Sequence, residues 1–114
     1  MTINVQATGI DMTDAINSYA REKMEGLKKF FDNIQKIDID VGMKSQHHQK
    51  GKVFFAEANI HVPGSIVRVS KEAEDLYKAI DKVKDHLKVE LDELKGKMRK
   101  VDKQAARNNK GYEL

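Results

Sequence analysis

Four histidines are the residues of this sequence with the clearest capacity for catalysis or metal binding: His47, His48, His61 and His86. A neutral imidazole can act as a general base near neutral pH and is a common zinc ligand. His47 and His48 are adjacent in a polar stretch, so their side chains need not converge, and no carboxylate lies nearby at ligand spacing. We interpret the pair as solvated loop residues. The alternative, a metal-dependent enzyme built around them, predicts tight zinc uptake.

Asp38 and Asp40 are two carboxylates that share one face of a predicted strand, an arrangement that glycosidases use for catalysis. Such a pair is more simply the polar side of a half-exposed strand, and no pocket is implied. The sequence contains no cysteine and lacks the GxSxG, HExxH and glycine-rich phosphate-loop motifs. We therefore expect no enzymatic activity, no cofactor, no metal and no small-molecule substrate.

Lysines on two predicted helices form a more informative pattern. Steps of four and seven residues separate Lys84, Lys88, Lys95 and Arg99 and place them in one stripe of the second helix. Further basic residues are Lys78 and Lys82 on the same helix, and Arg21, Lys23, Lys28 and Lys29 in the C-terminal half of the first helix. A row of ammonium groups at this spacing suits a row of phosphates, and counterion release would make such binding strongly salt-dependent.

Acidic residues interleave with the lysines of the second helix: Asp81, Asp85, Asp92 and Glu93. Alternating charge of this kind is also typical of an ordinary solvated helix face, and that alternative stays open. The net charge of +3, from 21 basic against 18 acidic residues, is only mildly basic. Nucleic-acid binding therefore depends on whether the lysines gather on one face.

The elements that would position these side chains follow from the hydrophobic periodicity. Residues 2–9 alternate and predict a strand, and the helical spacing of apolar residues from Ile16 to Phe31 predicts a helix that ends near Asp32 and Asn33. Thr13 is a suitable N-cap for this helix. Two alternating segments, 36–44 and 52–62, and the short segment 66–70 predict three more strands, which short connections join into an antiparallel meander. Pro63, Gly64 and Ser65 supply a turn between the last two strands.

The second predicted helix starts near Glu74 and carries apolar residues at steps of three and four as far as Val101. This apolar seam is longer than a small sheet can cover, so its C-terminal part projects, frays or packs on a partner. The alternative function is therefore a protein-interaction module that self-associates or binds a partner helix through Leu91, Leu94, Met98 and Val101. Self-association is possible on this basis but is not our primary prediction.

These elements predict an α+β fold in the order β-α-β-β-β-α, with a four-stranded sheet and both helices on one face. The 114 residues suffice for one small domain, which we place at 1–102, followed by a flexible polar tail at 103–114. The sequence has no apolar run long enough to cross a membrane and no signal-peptide pattern at its start, so we expect a cytoplasmic protein with no membrane partner.

Two segments of the chain resemble a known family. The stretch 74–81, EDLYKAID, is similar to the acidic residue followed by Asp-Met-Tyr-x-Ala-Ile-Asp that opens the second helix of the ribosome hibernation promoting factors. The segment 3–34 resembles the first strand and the Thr-capped first helix of the same family. This family also includes protein Y and the ribosome-associated inhibitors and was once called sigma-54 modulation proteins. The resemblance covers residues 2 to about 97.

The resemblance implies a fold similar to a double-stranded RNA-binding domain with an added first strand. It also implies binding to ribosomal RNA in the decoding channel of the small ribosomal subunit, where messenger and transfer RNA are excluded during stress or stationary phase. Long members carry an additional dimerising domain that pairs ribosomes, and this chain is similar to the short form.

The basic positions of the family match this sequence in part. Lys23, Lys29 and Lys97 agree with the family pattern, whereas other basic positions of the family fall on Gly26, His86, Val89 and Glu93. We expect that Lys82, Lys84, Lys88 and Lys95 carry relocated charge. The predicted ribosomal-RNA-binding residues are Lys23, Lys28, Lys29, Lys78, Lys82, Lys84, Lys88, Lys95 and Lys97.

Overall fold

A computed structural model describes residues 1–44 and 53–112 of the chain, with side chains through residue 98. The elements, in chain order, are β1 (Thr2–Thr8), α1 (Asp14–Glu25), a 3₁₀ turn (Gly26–Lys29), β2 (Lys36–Met43), β3 (Phe54–Val62), β4 (Ser65–Ala73) and α2 (Leu76–Tyr112). This order confirms the predicted β-α-β-β-β-α arrangement. His47 and His48 lie outside the described residues.

The four strands form one sheet in the order β1-β2-β3-β4. β1 pairs with β2 in parallel, and β2, β3 and β4 form the predicted antiparallel meander. Val62 pairs with Ser65 across a two-residue turn in which Gly64 has φ of 75°, a conformation that glycine adopts without steric cost. β4 extends over nine residues and is longer than the predicted segment 66–70.

The hydrophobic core lies between one face of the sheet and the two helices. Alternate residues of β2 and β3 are fully or almost fully buried on that face, and apolar residues at helical spacing in α1 and α2 cover them. The most deeply buried side chains are Met24, Leu27, Ile37, Ile39, Ile60, Ile80, Leu87, Leu91, Val41 and Val83. Both helices therefore pack on one face, as predicted, and the opposite face of the sheet is polar.

Side-chain caps define where the two helices begin. Thr13 Oγ1 accepts a hydrogen bond from the backbone N–H of Ile16 at 3.1 Å, which confirms the predicted N-cap of α1. Asp75 Oδ1 accepts from the N–H groups of Tyr77 and Lys78 at 2.7 and 3.3 Å, so α2 begins two residues later than predicted.

The first helix is shorter than predicted. α1 ends at Glu25 and continues as a 3₁₀ turn to Lys29, whereas the apolar spacing predicted a helix to about Asp32. Gly26 has a low helix propensity, and the last turn tightens so that Phe30 and Phe31 donate their N–H groups to the carbonyl of Leu27. The 3₁₀ turn still buries Leu27 and Phe31 in the core.

The second helix continues far beyond the sheet. Its backbone is helical through residues 103–112, which the sequence analysis had assigned to a polar tail without helical pattern. The division of the chain at residue 102 and the flexibility of the tail stay predictions. Within the described part of the chain, no helix combines the length and apolarity needed to cross a membrane.

Candidate nucleic-acid interface

The two long sides of α2 face different neighbours, and the predicted lysines divide between them. We call the side that packs beside α1 and the 3₁₀ turn the groove flank; it carries Tyr77, Asp81, Lys84 and Lys88. We call the side that overhangs β4 the edge flank; it carries Lys82, His86, Glu90, Glu93 and Lys97. The contacts below define both assignments.

Lys84 lies at the point of closest approach between the groove flank and the first helical segment. A Cβ atom at Gly26 would stand 3.1 Å from Lys84 Nζ and 3.4 Å from its Cε. Because Gly26 has no side chain, the stem of Lys84 lies across the end of α1 and its ammonium group sits at the rim of the inter-helix groove. The lysine thus occupies the space where a side chain at position 26 would project.

Lys88 lies one helical turn further along the same flank. Its Nζ is 4.8 Å from the centroid of the Phe30 ring, within the range of a cation–π contact. Phe30 is half-buried, so the ring is itself held by the core. The contact restrains the Lys88 ammonium while leaving the residue exposed to a ligand.

Lys23 approaches the groove from α1 and is part of a network of side chains. Its Nζ is 3.7 Å from Asp81 Oδ1 and 5.2 Å from the ring centroid of Tyr19. Tyr19 donates its hydroxyl to the same carboxylate oxygen at 2.6 Å, and the Tyr77 ring packs edge-on against Tyr19 with centroids 4.8 Å apart. Asp81 therefore offsets part of the positive charge at this end of the groove.

The hydrogen bond to Asp81 also changes the acidity of Tyr19. The carboxylate accepts a hydrogen bond from the phenol, and together with partial burial this raises the pKa of Tyr19 to about 12. The hydroxyl consequently stays protonated at neutral pH and links α1 to α2. Sequence analysis missed this link, because neither residue belongs to a motif and only the packing of the helices brings them together.

The structure brings Lys23, Lys84 and Lys88 together in the inter-helix groove. Lys95 follows Lys84 by about three helical turns, so it lies on the same flank, where it is half-buried. Lys28 and Lys29 are exposed on the 3₁₀ turn, next to the groove in the chain. Their role in RNA binding stays a prediction.

The remaining predicted lysines lie away from the groove. Lys82 Nζ donates to the backbone carbonyl of Glu72 in β4 at 3.2 Å, and Lys97 lines a cleft beside β4. Lys78 is exposed in the first turn of α2. The nine residues are thus not one continuous row: a cluster occupies the groove, and two lysines occupy the opposite flank.

The two described histidines take part in surface pairs. His61 Nε2 is 3.2 Å from Asp38 Oδ2 on the free face of the sheet, and His86 Nε2 is 3.1 Å from Glu90 on α2. Asn4 also donates to Asp38 at 2.8 Å, and this hydrogen bond, with Lys36 and His61, holds the pKa of Asp38 below its usual value. Among the side chains that the structure describes, no group of three or more acidic or histidine residues could hold a metal ion.

The apolar seam of α2, predicted to be Leu91, Leu94, Met98 and Val101, is only partly accessible to a partner. Leu91 is fully buried by this chain and Leu94 is half-buried, whereas Met98 is 41% exposed. The side chain of Val101 lies outside the described residues. Leu91 is therefore part of the core, and an interaction through this seam depends on the residues that follow it.

Comparison with known proteins decides the family. The family model described as "Sigma 54 modulation protein / S30EA ribosomal protein" matches residues 3–99 of the chain. This chain belongs to that family. The resemblance to the ribosome hibernation promoting factors, inferred from the segments 3–34 and 74–81, is thereby confirmed.

Individual relatives agree with this assignment. The ribosome hibernation promoting factor of Azotobacter vinelandii is 33% identical over 104 residues, which are 91% of this chain and 90% of the relative. The N-terminal domain of Thermus thermophilus Protein Y superposes with a TM-score of 0.71 at 29% identity, covering 82% of this chain and 99% of that domain. A ribosomal subunit interface protein from Coxiella burnetii shares the fold, with a TM-score of 0.73 at 24% identity over 84% of this chain and 99% of that protein.

Proposed function

We propose that this chain is a ribosome-associated hibernation factor that binds the RNA of the small ribosomal subunit and silences translation. It would occupy the decoding channel and exclude messenger and transfer RNA during stress or stationary phase. The relatives that support this proposal are named for promoting ribosome hibernation rather than for a reaction, which favours a non-enzymatic function. A cytoplasmic location follows from the proposal, because the partner is the ribosome.

The observation that carries the proposal is the position of Lys23, Lys84 and Lys88 in the inter-helix groove. Two of these ammonium groups stand over aromatic rings and the third lies over Gly26, so their positions are restrained before a ligand binds. Restraint of this kind lowers the entropy lost on binding. Successive turns of α2 present the charges at a spacing that suits consecutive phosphates of a folded RNA.

Charge rather than base recognition would dominate the affinity. Duplex RNA is recognised mainly through its shape, its phosphates and its 2′-hydroxyl groups, so lysines on two packed helices suffice. Each lysine that neutralises a phosphate releases a counterion, which makes the binding constant fall steeply with salt concentration.

Sedimentation of the full chain with purified small ribosomal subunits over a series of salt concentrations tests the proposal. We expect co-sedimentation at low salt and its progressive loss as the salt concentration rises. In a second arm, subunits loaded beforehand with messenger RNA and initiator transfer RNA should bind less protein, because both occupy the channel. Failure to co-sediment at low salt would contradict ribosome binding, and equal binding to loaded subunits would contradict the proposed site.

The projecting part of α2 supports a second candidate function, the binding of a partner helix or of a second copy. Met98 is exposed beyond the end of the sheet, and the helix continues to Tyr112. Analytical ultracentrifugation of Met98→Glu against Val89→Glu, an exposed position on the same helix, checks this function. It predicts that only the first variant reduces self-association.

A further inference from the structure

β4 offers an open strand edge. Among the strands that the structure describes it pairs only with β3, and the pairing runs without a bulge from Val62–Ser65 to Phe54–Ala73. Hydrogen bonds to a partner strand alternate along an antiparallel pair, and the pair flanking a two-residue turn is bonded. The N–H and C=O groups of Ile66, Arg68 and Ser70 therefore face the free edge. A straight edge of this length is a template for strand addition.

The C-terminal end of this edge is protected. Lys82 donates to the outward-facing carbonyl of Glu72, which agrees with the alternation. Lys71 has its side chain on the helix-covered face of the sheet, and an inward lysine on an edge strand discourages pairing with another strand. The free part of the edge is thus confined to residues 65–70.

A cleft of about 410 Å³ runs beside this free part, between β4 and the edge flank of α2. The residues of its wall and floor that matter here are Val67, His86, Glu90, Glu93, Leu94 and Lys97. A groove between an edge strand and a helix can hold an extended peptide, whose main chain pairs with the strand while its side chains contact the helix. We propose that this cleft binds an extended segment of a partner protein as a fifth strand of the sheet.

The lining of the cleft defines the chemistry of that segment. Val67 and the half-buried Leu94 form an apolar floor for every second side chain of an added strand. Glu90 is paired only with His86, at 3.1 Å, and Glu93 is exposed and forms no ion pair among the described side chains. Glu90 and Glu93 outnumber Lys97, the one lysine among the described residues that line the cleft. Because both carboxylates lie on the helix-covered side of the sheet, the partner segment has a lysine or arginine opposite them in the same alternating set of positions as its apolar residues.

This site is separate from the proposed RNA interface. The cleft lies on the edge flank, whereas Lys84 and Lys88 face the groove on the other side of the same helix. A bound segment would leave the groove lysines free. The inference thus goes beyond the proposed ribosome binding and does not depend on it.

The probe is a synthetic peptide, acetyl-Thr-Val-Thr-Lys-Thr-Val-Thr-amide, whose valines and lysine share one face; it is titrated into the ¹⁵N-labelled full chain and followed by NMR. We expect saturable shifts and slowed amide exchange at Ile66, Arg68 and Ser70, with shifts at Glu93 on the helix. A peptide with Glu in place of its Lys should bind more weakly. A peptide that is N-methylated at the alternate residues whose N–H groups face β4 should not bind, because it cannot donate hydrogen bonds to the edge.

Two variants test whether the peptide binds in the cleft beside β4. Ser70→Pro removes an N–H that faces the free edge and leaves the pairing with β3 intact, so the fold should be retained, and we expect about tenfold weaker binding. Glu93→Lys reverses the charge of the cleft wall and should also weaken binding about tenfold. Asp92→Lys makes the same charge change one residue away, outside the cleft, and is the matched control. Circular dichroism checks that each variant is folded.

Three results of the peptide titration would overturn the proposal. These are the absence of saturable shifts, equal binding of the N-methylated peptide, or shifts centred on the groove flank. Concentration-dependent shifts of residues 66–70 without peptide would assign the edge to a second copy of the chain and would also overturn it. Sedimentation of Ser70→Pro, which leaves the net charge unchanged, with ribosomal subunits is expected to match that of the unmodified chain, which separates this site from the proposed function.

Discussion

The two flanks of α2 are similar in sequence and different in structure. Each carries lysines interleaved with carboxylates, and the periodicity of the helix does not distinguish them. On the groove flank, the half-buried Lys84 lies over Gly26 and the exposed Lys88 lies over the Phe30 ring. On the edge flank, Lys82 is bonded to a backbone carbonyl. The neighbours of a charged side chain, rather than its spacing, decide whether it is free to bind a ligand.

The largest expected effect comes from the core residue that both flanks share. Leu87 is fully buried between them, and Leu87→Ala should lower the free energy of unfolding by about 2–5 kcal/mol because it removes packed apolar volume. Urea unfolding measures this change. Val89→Ala, at a position 54% exposed, is the control, for which we expect a change below about 0.5 kcal/mol. Similar losses in both variants would mean that α2 packs on the sheet through a different face.

Gly26 offers a way to disturb the groove flank without changing its charge. Its backbone has φ of −60° and ψ of −19°, which any residue adopts, so Gly26→Leu should fold normally. The new side chain would displace the Lys84 ammonium, and we expect ribosome affinity to fall roughly three- to tenfold, as for the loss of one phosphate contact. Co-sedimentation measures the affinity.

Gly96→Leu is the matched control for this experiment, because a Cβ at Gly96 meets no atom within 4 Å. This variant should bind ribosomal subunits as the unmodified chain does. An equal loss of affinity in both variants would show that the position of Lys84 is unimportant.

Sequence patterns predicted the fold more completely than the site. The period-two strands, the Thr13 cap and the position of the turn at Pro63 and Gly64 are local features, so they could be inferred from neighbouring residues, although Ser65 proved to be the first residue of β4. The early end of α1 at Glu25 was not predicted, because the apolar spacing continues through the 3₁₀ turn.

The flank on which each lysine lies could not be inferred from the sequence. Helical spacing relates Lys84 to Lys88 and Lys78 to Lys82, but it does not say which side of α2 faces α1 and which faces β4. That orientation is set by the core contacts of Ile80, Val83 and Leu87 with the sheet. The contact of Lys84 with Gly26 likewise exists only once the helices pack.

Tyr19→Phe tests the network that joins α1 to the groove flank. Loss of the hydrogen bond to Asp81 should lower the free energy of unfolding by roughly 1–2 kcal/mol at neutral pH. The folded-state pKa of Tyr19 is about 12, above the usual 10.0, so this contribution is complete below pH 10 and is lost as the pH rises towards 12. Denaturant unfolding at several pH values should therefore show the two proteins converging above pH 10. A constant difference would contradict the assigned network.

Asp38→Asn is expected to have the smallest effect, since it lies on the free face of the sheet, away from both flanks. The pKa of Asp38 is lowered, chiefly by the hydrogen bond from Asn4, so its ionised form stabilises the fold above pH 3.8 and this contribution is lost as the pH falls below that value. The effect is small because the carboxylate is partly exposed. Acid unfolding curves should differ above pH 3.8 and converge below it, with ribosome binding unchanged at neutral pH.

One comparison tests most directly the claim that the groove flank carries the RNA-binding charge. The salt dependence of co-sedimentation is measured for the unmodified chain, for Lys84→Glu/Lys88→Glu and for Lys82→Glu/Lys97→Glu, which make the same charge change on opposite flanks. We predict that the groove variant loses most binding and that its slope of log K against log salt becomes shallower by about one for each lysine replaced. The edge variant should keep nearly the full slope. Equal losses in the two variants would show that total charge, and not the groove, determines binding, and would contradict the claim.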